Sequence, residues 1–262
     1  MRVDDINLAH RLADAAGAAI RPYYRQPHGL ESKGDSTPVT LADRAAEAAM
    51  RAILDAERPM EGIIGEEYGA ERTEASCIWV LDPIDGTTSF VAGRPIFGTL
   101  IALCQDGWPM LGILDQPISG ERWVGAVGQP STFNGAPIRT RPCPDLAQAI
   151  LATTGPHYFT EQEAERYLML ASQCARRRLI YGGDCYNYGL LAAGHIDLVA
   201  ESGLKLYDYA ALVPIVEGAG GRMCDWAGEP LTAESKGDVL ACGDPARVEQ
   251  VIEIFRSVDT TN

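Results

Sequence analysis

The apolar run Ile78-Trp79-Val80-Leu81 leads without a break into Asp82-Pro83-Ile84-Asp85-Gly86. A short apolar run bounded by turn residues reads as a buried strand. The strand commits this part of the chain to a sheet, and Asp82 is expected to open a turn through Pro83 to Gly86. Acids at a strand end project from a rigid element into the layer of loops where ligands bind. Gly62 to Gly69, GIIGEEYG, repeats the plan: a short apolar strand running into Glu66 and Glu67.

The rest of the pattern surrounds these strands. Residues 4–24 carry apolar side chains at helical spacing and end near Pro22. A turn-rich link follows, then a second helix from Thr40 to about Glu57, with Thr40 as N-cap and Asp43 in its first turn. FGTLIALCQDGWPMLGILDQP reads as two strands joined at Asp106–Gly107. Near Arg141-Pro142-Cys143-Pro144 the character changes, and strands alternate with helices to the end. Strands are expected at AILATTG, Arg178–Tyr181, HIDLVAES and DVLACGD. Helices are expected at 161–177, GGDCYNYGLLAAG, YDYAALVPIVEGAGG and 245–255. Two packed subdomains follow: α+β over 1–140 and α/β over 141–262.

Composition narrows the function. The 262 residues carry a formal net charge of −14, the reverse of a nucleic-acid footprint. Acidity does not exclude an anionic substrate, because carboxylates are how a protein holds a hard cation that reverses the local field. No two of the seven cysteines form a C-x-x-C pair, and several sit in apolar runs. Reduced buried thiols in a cytoplasmic protein are the expectation. No apolar run of about 18 residues is present, so no membrane span is expected. The N-terminal residues lack the apolar region of a secretory signal.

Three acidic segments carry the chemistry: Glu66 with Glu67, Asp82 with Asp85, and Asp208 in KLYDYAAL. Magnesium prefers oxygen ligands and commonly uses carboxylates together with substrate phosphate. A helix starting at Gly86-Thr87-Thr88 would add backbone N–H groups for an anion. On composition alone, D-P-x-D-G also reads as an ordinary turn.

WVLDPIDGTTSF, with IIGEE upstream and YDYAALVPIVEGAGG downstream, resembles the inositol monophosphatase-like family in motif order and spacing. That resemblance implies a layered α-β-α-β-α sandwich. Within the family, GRPIFGTLIAL, GGDCYNYGLLAAGHIDLVAE and GLKLYDYAALVPIVEGAGG look like histidinol-phosphate phosphatases. Tyr207 stands where inositol monophosphatases typically carry Trp, and Asp184 where they tend to carry a small polar residue or alanine. Thr88 stands where many relatives have Lys.

By the resemblance, Glu66, Asp82 and the Ile84 carbonyl bind one magnesium, and Asp82, Asp85 and Asp208 bind a second. Glu66 reaches a third through water. Thr87 positions the attacking water and Asp43 accepts the Thr87 hydroxyl proton. Asp43 is also a favourable residue for a helix's first turn on its own account. Substrate contacts fall to Asp85, Gly86, Thr87, Thr88, Asp184, Glu201 and Asp208. Two carboxylates, Asp184 and Glu201, would suit a cationic substrate such as histidinol phosphate. The plainer readings are a helix N-cap for Asp184 and a solvated strand end for Glu201.

His10, His28, His157 and His195 show no metal-ligand spacing. Tyr186 and Tyr188 read as helix packing. The roles of Lys33 and Arg94 stay open. By the resemblance, the expected function is that of a histidinol-phosphate phosphatase in histidine biosynthesis, a phosphate monoester hydrolase using two or three magnesium ions to activate water, with a homodimer implied by analogy. The alternatives are an inositol or broad sugar-phosphate phosphatase, and a non-catalytic phosphometabolite-binding regulator.

Overall fold

The computed structural model describes residues 3–26, 30–32 and 38–259. The helices are α1 (Val3–Ile20), α2 (Leu41–Glu57), α3 (Thr87–Val91), α4 (Glu161–Gln173), α5 (Asp184–Ala192), α6 (Leu206–Tyr209), α7 (Leu212–Gly218) and α8 (Val248–Asp259). The strands β1 (Leu30–Ser32) and β2 (Pro38–Thr40) form a small antiparallel pair.

The first large sheet is built from β3 (Gly62–Gly65), β4 (Gly69–Glu71), β5 (Cys77–Asp85), β6 (Gly98–Gln105), β7 (Trp108–Gln116), β8 (Glu121–Ala126), β9 (Gln129–Phe133) and β10 (Ala136–Pro137). Its spatial order is β10-β9-β8-β7-β6-β5-β3-β4, antiparallel except for the β3–β5 pair. The second sheet holds β11 (Leu151–Thr153), β12 (Leu179–Tyr181), β13 (Leu198–Glu201), β14 (Arg222–Cys224) and β15 (Val239–Cys242). Its order is β12-β11-β13-β15-β14, with β12, β11 and β13 parallel. Every strand of the first large sheet precedes residue 141 and every strand of the second follows it.

Period-two alternation explains how these sheets stack. In β5, Trp79 and Leu81 join the core beneath α1 and α2, while Val80 faces the opposite core, which holds α5 and α7. In β13, Val199 faces that same middle core, and Leu198 and Ala200 face a third core under α4 and α8. The layers therefore run α1/α2, first sheet, α5/α6/α7, second sheet, α4/α8, the expected α-β-α-β-α sandwich. Strands covered on both faces read as continuous apolar runs.

The middle layer sits very close to the first sheet. A side chain at Gly112 would strike the Ala211 backbone, and one at Gly125 would strike the backbone of Pro214 and Ile215. Backbone cannot swing aside as a flexible side chain can. Gly125→Val is therefore expected to lower unfolding free energy by about 3 kcal/mol, the upper range for overpacking, as read from urea denaturation.

Two expectations are corrected, and one strand is added. Asp82 does not open a turn: β5 continues to Asp85 through a bulge. YDYAALVPIVEGAGG forms two helices, α6 and α7, rather than one. The strand β14 went unforeseen, because three residues, Arg-Met-Cys, carry too little pattern. Lys33 and His28 lie outside the described residues.

Candidate active site

The bulge in β5 brings the first two acids together. Asp82 pairs with Leu100 and Asp85 with Gly98, so β5 has one more residue than β6 between these points. In a regular strand, positions three apart face opposite sides. The extra residue cancels that, as a bulge does. Ile84 now falls in the α1/α2 core, on the side that odd-numbered residues occupied before the bulge, and Asp82 and Asp85 share the inner side.

Asp208 joins them from α6. Its Oδ2 accepts from the Lys205 amide at 2.5 Å, capping that short helix. Oxygens of Asp82, Asp85 and Asp208 lie within 4.8 Å of one another. Glu66, just beyond β3, stands outside that triad but lines the same cavity. Its amide donates to the Leu81 carbonyl at 3.2 Å, tying it to the base of the β5 bulge.

Like charges in a buried space resist ionisation. Burial first, then Glu66, Asp85, Asp208 and Asp43, push Asp82 well above the carboxylate range. Burial, Asp184 and Asp208 do the same to Asp85. Asp208 is raised to about 7, chiefly by burial. Asp82 Oδ1 is buried with no hydrogen-bond partner among the described residues. A divalent cation would relieve all of this at once. Clustered carboxylate oxygens with an orphaned oxygen among them fit a hard metal ion.

The cavity measures about 240 Å³, the scale of a small metabolite. Ile84 and Gly86-Thr87-Thr88 line it beside the acids. Gly86 precedes α3 at φ +86°, a left-handed conformation that favours glycine. The first-turn amides of Thr87 and Thr88 have no acceptor within α3. The Thr87 hydroxyl donates to the Ile84 carbonyl at 3.1 Å rather than to Asp43. Asp43 is buried in α2, close enough to raise Asp82.

Asp184 and Glu201 both line the cavity, and neither fits its plainer reading. Gly183 occupies the N-cap of α5, while Asp184 is the first helical residue at φ +44°. The cap comes from the other sheet: Asp85 Oδ2 accepts from the Cys185 amide at 2.6 Å. Asp184 Oδ2 instead accepts from Ser89 at 3.3 Å. Burial raises Asp184, against the opposing pulls of Ser89 and Arg94. The Arg94 guanidinium lies against Gly182, two residues before Asp184, a placement its loop sequence did not reveal.

Glu201 is buried, not solvated. It continues the inner face of β13 two residues after Val199. Its Oε1 accepts from the Thr154 amide at 2.8 Å and hydroxyl at 2.6 Å, and its Oε2 from Tyr188 at 3.0 Å. Three donors leave one of about four acceptor positions open. Burial raises Glu201 despite them.

Sequence reasoning missed several lining residues. Tyr188 is more than packing, since its hydroxyl holds Glu201. Tyr186 does pack, edge-on to Trp123 at 5.5 Å. Tyr158 and Phe159 add an aromatic wall from the loop after β11. An aromatic pair in a Gly-Pro loop was the only available signal. His10 lies far from this cluster, beside Arg122 at 3.1 Å.

A buried acid, Asp82, and its half-buried neighbours beside helix-start amides form a site for a cation and an anion together. The model of the inositol monophosphatase family matches residues 3–260, and the chain belongs to that family of metal-dependent phosphatases. It is 46% identical over 255 residues to the chloroplastic bifunctional phosphatase IMPL2 of Arabidopsis thaliana, covering 94% of this chain and 73% of the relative. It is 34% identical over 239 residues to a histidinol-phosphatase of Chlorobaculum parvum, covering 90% and 92%. A solved inositol monophosphatase from Zymomonas mobilis superposes with a TM-score of 0.89 at 55% identity, covering 97% and 98%. No helix among the described residues is long and apolar enough to cross a membrane.

Proposed function

We propose that this phosphatase hydrolyses histidinol phosphate with magnesium as cofactor, in a cytoplasm that keeps its thiols reduced. The observation that carries the substrate choice is the pair Asp184 and Glu201 in one small cavity with the Asp82–Asp85–Asp208 cluster. A phosphate end and a cationic end would each find its complement. Tyr158 and Phe159 offer faces for an imidazole ring. The histidinol-phosphatase relative supports the same reading.

Glu66, Asp82, Asp85, Asp208 and the Ile84 carbonyl would hold two or three magnesium ions. When bound, the ions supply a water of lowered pKa and offset the phosphate charge. The amides of Gly86, Thr87 and Thr88 would steady the phosphate oxygens. Thr87, oriented by the Ile84 carbonyl, would receive a hydrogen bond from the attacking water, and Glu66 would align that water. Asp43 would act on the same side as a buried acceptor. No side-chain nucleophile is needed. Cys185 lines the cavity, but burial and Asp85 hold its thiol well above the ordinary range, where little thiolate forms.

The test is phosphate release from histidinol phosphate and inositol 1-phosphate, side by side at matched magnesium. Histidinol phosphate is expected to be preferred. Asp184→Asn keeps size and removes charge. A charge-assisted hydrogen bond contributes about 1.5–3 kcal/mol, so kcat/KM on histidinol phosphate should fall roughly 10- to 150-fold. A neutral sugar phosphate should change little. Equal losses on both would make Asp184 a scaffold residue only.

A second reading rests on the solved relative described as an inositol monophosphatase. Arg94, against Gly182, favours it, because its guanidinium acts on the Asp184 carboxylate and offsets part of the charge meant for a substrate cation. Preference for inositol 1-phosphate would decide for it.

A further inference from the structure

Glu47 has no part in the chemistry above, yet its carboxylate is fully buried. It sits one helical turn after Asp43 in α2, on the same face. Its Oε2 accepts from the Glu67 amide at 2.7 Å and its Oε1 from the Tyr68 amide at 3.2 Å. Arg51, one turn further on, donates to Glu47 Oε1 at 2.7 Å. The same guanidinium reaches the Gly69 carbonyl and Glu71 Oε1, the latter at 2.9 Å. Arg44 in α2 also pairs with the Glu67 carboxylate at 3.6 Å.

These bonds converge on one turn, residues 65–71, which presents Glu66. Gly65 before it has no room for a side chain, because the Glu47 carboxylate fills the space. On the other side, the Glu66 amide is tied to Leu81 in β5. The turn is thus clamped between α2 and the strand that carries Asp82.

We propose that Glu47 is a positioning residue for the metal site, fixing Glu66 against the Asp82–Asp85–Asp208 cluster through the amides of Glu67 and Tyr68. A buried carboxylate bonded to two backbone amides and a guanidinium holds its geometry tightly. Groups that orient a metal ligand typically govern metal affinity by 10- to 100-fold. This inference rests on the reading that magnesium binds among these acids.

The experiment is calorimetric magnesium binding to the wild type, Glu47→Gln and Glu47→Asp, with unfolding midpoints recorded in chelator. Gln keeps the size but replaces one acceptor oxygen with a donor facing an amide. Asp keeps the charge but withdraws it from the turn. Both are expected to bind magnesium at least 10-fold more weakly than the wild type while still unfolding cooperatively. Magnesium affinity within twofold of wild type in either folded variant overturns the proposal. Failure of both variants to fold also overturns it, since Glu47 would then be a purely structural ion. A wild type that binds no magnesium refutes the metal reading itself and is told apart by that control.

Discussion

Asp82→Asn is expected to reduce phosphatase activity by about three orders of magnitude, equivalent to ~4 kcal/mol of transition-state stabilisation. Asp82 stands at the centre of the cluster: Glu66, Asp85, Asp208 and Asp43 all act on it. A metal held on any side of it needs its negative charge. The amide is nearly isosteric, so the loss would not come from packing. Its NH2 group would find acceptors in the neighbouring carboxylates. The same substitution should raise the stability of the metal-free protein, because it removes one buried charge from a repelling set. The combined result, lower activity with a higher unfolding midpoint in chelator, separates a functional acid from a structural one. Full activity in Asp82→Asn, or in excess chelator, would refute the two-metal reading.

The sequence made the layered fold legible because both sheets are covered on both faces. That produces apolar runs such as Trp79-Val80-Leu81 and Leu198-Val199-Ala200, and the intervening helical spacing separates them. The clustered acids were legible as candidates because each follows such a run or opens a helix. What the sequence hid depends on register and distant contacts. Asp82 and Asp85 stand three positions apart, which in a regular strand would split them between faces, and only the pairing with β6 shows the bulge that reunites them. Asp85 as the cap of α5 joins residues 100 positions apart. Glu201 reads as a strand end, and only the layer above β13 makes it buried. Glu47 reads as one more helix acid, because its partners are backbone amides with no signature of their own.

In the metal-free protein, stability is expected to fall as pH rises from about 4 through about 7. Asp208 carries the sign most clearly, since its pKa in the folded chain is raised from 3.8 to about 7. Between those values the folded state holds a proton that the unfolded state has lost. Stability changes with pH in proportion to protons bound unfolded minus protons bound folded, which is negative here. A shift of roughly three units corresponds to something on the order of 4 kcal/mol lost across the window. Asp82 and Asp85 are raised as well, and the cluster titrates as a unit. His10 works in the opposite direction: burial lowers its pKa, so it favours the folded state as pH rises through that range. The clean measurement is therefore a difference. Urea midpoints of the wild type and Asp208→Asn, both in chelator from pH 4.5 to 8, should diverge as pH rises, with the variant increasingly the more stable. Magnesium should reverse the order, because bound cations favour the ionised acids and the wild type has one more to offer. Parallel pH profiles for the two proteins in chelator would mean that Asp208 ionises normally without metal, and that the cluster stores no repulsion for a cation to release.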